Sequence, residues 1–509
     1  MKIKINAYLL GILLGTPCFL KAQDTAKIHH EQYRPQIHFS PQRHWTNDPN
    51  GMVFYKNTYH LFFQYYPNGT TWGPMHWGHA ISKDLIHWKE LPIALYPDSL
   101  GYIFSGSAVV DSNNTSGFGK NGSIPLVAIF TNHDPVGEKE GKNDFQNQSL
   151  AFSLDDGFTW TKYSENPVLR NPGIRDFRDP KVMWYAKEKK WVMTLATKNR
   201  ITFYSSPDLK SWEKESEFGE KSGAHGGVWE CPDLFPLKLR GKTYWVLIVN
   251  LNPGGPNGGS ATQYFIGQFD GNKFISNDDK IRWIDYGPDE YAGITWSNTG
   301  NRRIFLGWMS NWQYANQVPT MKWRNAMTLP RDLKLAKIGN EFFLKSMPVR
   351  ELQKLKTVYI SQKHIIISKP LTFKAIPQQF AFSFETDTNH DYEVSFSNSL
   401  GDKLRIGYNK STNHYFIDRT QSGLINFNPE FGKSIHYSPR LGKSAHAKML
   451  VIVDKSSIEL FADDGLTVMT AVYFSKSPFN QLTITSKKGD AFNNVQIDSL
   501  RSIWKETSN

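Results

Sequence analysis

The sequence predicts an all-β protein, a β-propeller followed by a β-sandwich. Three observations carry this reading. Short runs rich in β-branched and aromatic residues, bounded by Gly, Pro, Asn and Asp, recur along the chain, and long amphipathic helical patterns are scarce. A Ser-x-Asp…Trp turn motif recurs at intervals of tens of residues in the first half. Near Leu335 the style changes to alternating strands with turns between them. A chain of 509 residues is also too long for one ordinary domain.

In chain order, residues 1–23 read as a secretory signal. Lys2 and Lys4 form a positive start, Tyr8 to Leu20 a short apolar run, and Lys21-Ala22-Gln23 a cleavage point before Asp24. The apolar run is too short, and too broken by Gly11, Gly15 and Pro17, to span a bilayer, and no other run suggests a span. The expected localisation is therefore export, to periplasm, cell surface or medium. Cys18 offers an alternative reading as a lipid-anchor site, although Gly15-Thr16-Pro17 matches a lipoprotein signal poorly. The sequence has two cysteines; removal of the signal leaves Cys231 alone, so no internal disulfide is expected.

The propeller is expected over 32–335. Its repeat reads Ser82-Lys83-Asp84…Trp88, Ser153-Leu154-Asp155…Trp160 and Ser206-Pro207-Asp208…Trp212. Each copy follows a strand-like run, and the physics is that of a hairpin. Ser and Asp bond turn backbone groups while the Trp packs beneath. Further strand-like runs are Leu126–Phe130, Val182–Trp184, Trp191–Thr197, Tyr244–Asn250, Gln263–Phe269 and Ile304–Trp308. The segment Asn252 to Ser260 (NPGGPNGGS) lacks the Lys-Ser/Thr ending of a phosphate loop and reads as a rim loop. A linker is expected over 336–355, with Lys334 to Leu344 reading as a short two-stranded pattern and Ser346 to Leu355 as a short helix or linker. The sandwich is expected over 356–507, on runs such as Phe380–Glu385, Tyr392–Phe396, Lys403–Tyr408 and Met449–Asp454.

The formal net charge is +12, with Lys and Arg spread along the chain; with no clustered patch and no reading motif, a nucleic-acid partner is not expected. Sixteen Trp exceed what core packing usually asks for, and flat aromatic faces suit sugar rings.

Three acidic motifs share a context, an acid at the start of a strand with a proline close by: Asp48-Pro49, Asp179-Pro180 and Glu230-Cys231-Pro232. A propeller gathers such strand starts at one end of its channel, so Asp48, Asp179 and Glu230 are expected to converge. Glycosidic bond cleavage needs such convergence, with one carboxyl protonated and another ionised. A cation site is the competing reading; EF-hand spacing and an HExxH pair are both missing from the sequence, so no metal and no cofactor are expected.

Taken together, Trp45 to Gly51 (WTNDPNG), Phe63-Gln64-Tyr65, Trp72-Gly73, Phe104 to Ser107 (FSGS), Phe177 to Pro180 (FRDP), Trp229 to Pro232 (WECP) and Gly307 to Trp312 (GWMSNW) resemble glycoside hydrolase family 32, the family of invertases, levanases and exo-inulinases. The resemblance covers essentially the whole chain after the signal. It implies five blades, Asp48 as nucleophile, Glu230 as general acid/base, and Asp179 beside Arg178 as the holder of fructose hydroxyls. Asn47, Gln64, Trp72, Phe104, Ser105 and Trp308 would line the fructose pocket, while Trp77 and Trp296 read as core. Lys322 stands where many relatives have Pro, a departure expected to affect a rim loop only. The expected partner is a fructan or fructo-oligosaccharide, cleaved from its terminus. A fructosyltransferase on the same three carboxylates and a non-catalytic fructan-binding protein are the alternatives. Linkage preference and oligomeric state are not legible.

Overall fold

The computed structural model describes residues 28–504, and the expected signal peptide with Cys18 lies outside them. Up to Pro348 the described residues form five sheets of four or five strands in chain order. Their first strands are His44–Tyr55, Tyr102–Val110, Phe177–Tyr185, Val228–Leu239 and Tyr291–Thr295. Each first strand packs against the next, and the fifth returns to the first, so the sheets close as a propeller ring. The clasp is a short strand, Trp323–Arg324, that leaves the fifth sheet and pairs in parallel with His44 and Trp45. Lys322, an exposed bend residue just before this strand, accepts the His44 N–H on its carbonyl at 2.8 Å.

The repeated turn motif occupies one position in three successive sheets, between the third and fourth strands. In the first copy Asp84 Oδ1 accepts the N–H groups of Ile86 and His87 at 3.1 and 2.9 Å. In the third copy Asp208 Oδ1 accepts those of Lys210 and Ser211 at 2.9 and 2.8 Å. The three indoles, Trp88, Trp160 and Trp212, donate back to turn carbonyls at 2.9–3.1 Å. The fourth sheet keeps only the carboxylate: Asp270 accepts from Asn272 and Lys273, with neither the Ser nor the Trp of the motif.

The expected linker is corrected. Residues 336–348 belong to the outer hairpin of the fifth sheet, Arg331–Ile338 paired with Glu341–Pro348. The inward alternation of Leu333 and Leu335 runs past residue 335, with Leu335 opposite Leu344. Only a 3-10 turn, Arg350–Leu355, separates this hairpin from the sandwich, whose first strand starts at Lys356.

The sandwich is two six-stranded antiparallel sheets with an apolar interior of inward-facing residues such as Phe382, Val394, Leu404, Val451, Leu460 and Ile497. It shares a core with the ring: Trp296, Leu306 and Leu329 pack in one cluster with Ile452, Phe461 and Val468. A buried ionic seam reinforces this contact. Arg331 bridges Asp285 of the ring at 2.9 Å and Glu459 of the sandwich at 2.5 Å, and Arg419 of the sandwich meets Asp289 at 2.5 Å.

Candidate active site

Every first strand of the ring breaks its ladder at the same level. Two of its residues face one residue of the neighbouring strand: Asn47 and Asp48 against Gln64, Phe104 and Ser105 against Thr131, and Asp179 and Pro180 against Leu195. The pattern continues with Cys231 and Pro232 against Val249, and with Ala292 and Gly293 against Gly307. These are β-bulges, which bend the strand and re-aim its side chains. Proline fits there because no ladder hydrogen bond is lost. Asp179, Cys231 and Ala292 take positive φ of 66, 41 and 53°, local strain of the kind stored at functional sites.

The bulges turn Asp48, Asp179 and Glu230 into one pocket of about 350 Å³. Asp48 Oδ1 accepts from Asn47 Nδ2 at 2.9 Å and its Oδ2 from Ser105 Oγ at 3.0 Å. Asn47 is itself aimed by the Trp45 indole N–H, which donates to its Oδ1 at 2.8 Å. Asp179 Oδ2 accepts the Cys231 N–H at 3.0 Å, and the Asp179 N–H donates to Thr131 Oγ1 at 3.0 Å. The Cys231 thiol lies 3.6 Å from Asp48 Oδ2 and 3.5 Å from Asp179 Oδ2, where it donates a weak hydrogen bond. Burial and the surrounding carboxylates raise its pKa, so it stays a neutral thiol.

Arg178 does not pair with its neighbour Asp179. Its Nε and Nη2 donate to Glu230 Oε1 at 3.2 and 2.9 Å, and its Nη1 donates to Asp176 at 2.6 Å. The Tyr291 hydroxyl donates to the other oxygen of Glu230. Three carboxyl groups thus share one buried pocket, and the guanidinium beside them is hydrogen-bonded to only one of the three, Glu230. Burial, reinforced by the Glu230 charge, pushes Asp48 up to about 6 against the offset of its Asn47 and Ser105 hydrogen bonds. Burial pushes Asp179 up to about 7; the nearby Arg178 opposes this and the other two carboxyls add to it.

Of the pocket residues expected from the resemblance, Asn47, Gln64, Trp72, Phe104, Ser105 and Arg178 line the pocket. The buried Gln64 Nε2 has no partner among protein atoms, a donor left for a ligand. Trp308 is the exception. It is 0% exposed, packed under Trp45, Tyr291 and Trp312, and the wall position is taken by Trp312. Both indoles stand in GWMSNW, and the strand Ile304–Met309 is buried on both faces, so alternation gave no means of separating them. Glu138, Gln146 and Asn252 also line the pocket and were not singled out in the sequence. Asn252 stands at the head of the glycine-rich rim loop; for Gln146 no local motif exists. Among the described residues no group of three or more His, Cys, Asp or Glu side chains is arranged to hold a metal ion.

The geometry can be set beside known proteins. Glycosyl hydrolases family 32 N-terminal domain matches residues 38–346, and Glycosyl hydrolases family 32 C terminal matches residues 351–500. The levanase of Bacillus subtilis (strain 168) is 44% identical over 99% of this chain and 76% of its own length. The extracellular exo-inulinase of Aspergillus awamori is 39% identical over 93% of this chain and 96% of its own. The crystal structure of exo-inulinase from Aspergillus awamori superposes with a TM-score of 0.86 at 38% identity, covering 94% of this chain and 100% of that one. Matches of this extent, running through ring and sandwich alike, show that the chain belongs to glycosyl hydrolase family 32.

Proposed function

We propose that this protein is a retaining β-fructosidase that releases terminal β-D-fructofuranosyl units from a fructan, levan or inulin, and from sucrose. The observation that carries this reading is the meeting of Asp48, Asp179 and Glu230, each from a different sheet, in one pocket. Asp48 is the nucleophile: its carboxylate oxygen forms a bond to the anomeric carbon as the glycosidic oxygen departs. Glu230 gives that oxygen its proton. In the second step Glu230 takes a proton from water, whose oxygen attacks the same carbon and expels the Asp48 carboxylate. This double displacement requires the two carboxyl groups to stand roughly 5–5.5 Å apart. Asp179 accepts hydrogen bonds from fructose hydroxyls, with the Cys231 N–H holding its carboxylate in place. Exo action and an exported location are supported by the name of the exo-inulinase relative, which is called extracellular.

The experiment is a time-resolved product analysis of purified protein on levan, inulin and sucrose. Fructose alone from the earliest points is expected, and the relative rates give the linkage preference. Early short oligomers would overturn the exo mode, and absence of products on all three would overturn the β-fructosidase reading. Glu230→Gln tests the acid role. It should lose about 10²–10⁴-fold on sugar leaving groups and far less on activated aryl fructosides, which need no proton; equal losses on both would count against it.

A further inference from the structure

One wall of the pocket carries a carboxylate with no part in the scheme above. The second sheet connects its second and third strands through a short helix, Pro135–Lys139, started by Asp134, whose side chain accepts the Val136 N–H at 3.0 Å. This helix brings Glu138 into the pocket lining. Glu138 Oε2 lies 3.1 Å from His133 Nε2, and its Oε1 lies 3.8 Å from Arg175 Nη2, beyond hydrogen-bond reach. The Glu138 and Arg175 side chains are 43 and 48% exposed, so the fold gains little from that pair.

His133, by contrast, is buried. Its ring stacks on Phe104 at 4.2 Å and 8°, and both rings belong to the pocket lining. Gln146 Nε2 donates to His133 Nδ1 at 3.3 Å, which leaves the proton on Nε2, facing Glu138. Gln146 is fixed in turn, its Oε1 accepting the Phe177 N–H at 2.9 Å and lying 3.4 Å from Arg178 Nη1. A hydrogen-bonded row thus runs from Arg178, which grips Glu230, through Gln146 and His133 to Glu138. Burial keeps the imidazole below its ordinary pKa, so it acts in this row as a neutral donor with a fixed tautomer.

We propose that Glu138 recognises the leaving-group sugar, accepting hydrogen bonds from its hydroxyls, with His133 as the positioning residue that aims the carboxylate. The inference rests on the β-fructosidase reading. The acid must reach the glycosidic oxygen, so the sugar beyond that oxygen lies beside Glu230, and the row that starts at Arg178 on Glu230 ends at Glu138 in the lining of the same pocket. Asp176 is less suited to the task because Arg178 Nη1 already occupies it at 2.6 Å. Glu138 keeps free lone pairs in a partly exposed wall, the condition under which a carboxylate selects a polyhydroxylated partner over an apolar one.

The test compares kcat/KM for sucrose and a short fructan with kcat/KM for an aryl β-D-fructofuranoside, whose leaving group offers no sugar hydroxyls. In Glu138→Ala the ratio of sugar to aryl substrate is expected to fall roughly 10- to 100-fold, through KM more than kcat. Glu138→Gln, which keeps the shape and a neutral acceptor, should lose a smaller part of the ratio and guards against a folding defect. His133→Phe, which preserves the stack on Phe104, should show a weaker form of the same signature. A ratio within twofold of wild type in both Glu138 variants overturns the proposal and leaves the β-fructosidase reading standing. Wild-type inactivity on sucrose, levan and inulin overturns both.

Discussion

Near neutral pH the pocket asks Asp48 to be ionised where burial and the Glu230 charge oppose it, and its midpoint of about 6 follows. For activity this sets an acid limb: kcat/KM should fall as pH drops through about 6, because protonated Asp48 cannot attack. Asp48→Asn should cost at least about 10³-fold in kcat while leaving ligand binding in place. For stability the sign is opposite. A carboxyl whose folded pKa is raised favours folding fully below its unfolded value near 4 and loses that contribution as pH rises through about 6. Asn mimics the neutral form at every pH. Asp48→Asn should therefore be more stable than wild type at pH 8, by on the order of 1–3 kcal/mol, with the gap narrowing steadily toward pH 4 in a thermal-shift series. No gap at pH 8 would mean that Asp48 is not electrostatically strained. The three carboxylates were legible one by one, because each stands in a proline-bearing acidic motif. Their partners were less so. The Tyr291 hydroxyl on Glu230 and the Cys231 N–H on Asp179 are products of bulge geometry, and no residue-type pattern announces which way a bulged backbone turns.

The bulges are the element that makes a catalytic end out of five ordinary strands. Their cost is space, which small residues supply. A Cβ on Gly106, just after Ser105, would fall 2.1 Å from the Ile129 carbonyl oxygen, a backbone atom that cannot swing aside. Gly106→Ala should cost about 1–3 kcal/mol in urea unfolding, and it should lower kcat by moving Ser105 off Asp48. A stable, fully active Gly106→Ala protein would show that the bulge tolerates shifts of that size. At this scale the sequence was informative where a turn has its own chemistry. The Ser-x-Asp…Trp copies revealed three sheets, since carboxylate and indole act within one hairpin. The fourth turn, around Asp270, had shed the indole and escaped notice. The outer hairpin of the fifth sheet reads in the sequence as a short two-stranded pattern over Lys334 to Leu344, but nothing local shows that it belongs to the fifth sheet, which is set by the pairing of Arg331 with Phe305.

Ring and sandwich meet through a shared apolar cluster and a buried ionic seam, and the seam makes their union sensitive to alkali. His38 of the ring segment lies between two sandwich carboxylates, Nδ1 at 2.8 Å from Asp454 and Nε2 at 2.8 Å from Glu459. Burial alone would lower its pKa; the two hydrogen-bonded carboxylates overcome this and lift it to about 9. A raised histidine contributes stability fully below its unfolded value near 6.5, and loses it as pH rises through about 9. The wild-type melting temperature should therefore decline between pH 7 and 9.5. Asp179 and Glu290, lifted by burial to about 7 and about 8, push the same way, so the slope of wild type alone does not isolate the histidine. His38→Gln does. It leaves Asp454 and Glu459 with one donor fewer and no cation between them, so it should cost about 3–5 kcal/mol at pH 7, the penalty for breaking a buried pair from one side. Relative to wild type that penalty should shrink toward pH 9.5, where wild type has lost its proton as well. A penalty independent of pH would show that His38 acts by packing and hydrogen bonding rather than by charge. The pairing across this seam was not legible in the sequence, because His38 and Glu459 are 421 positions apart.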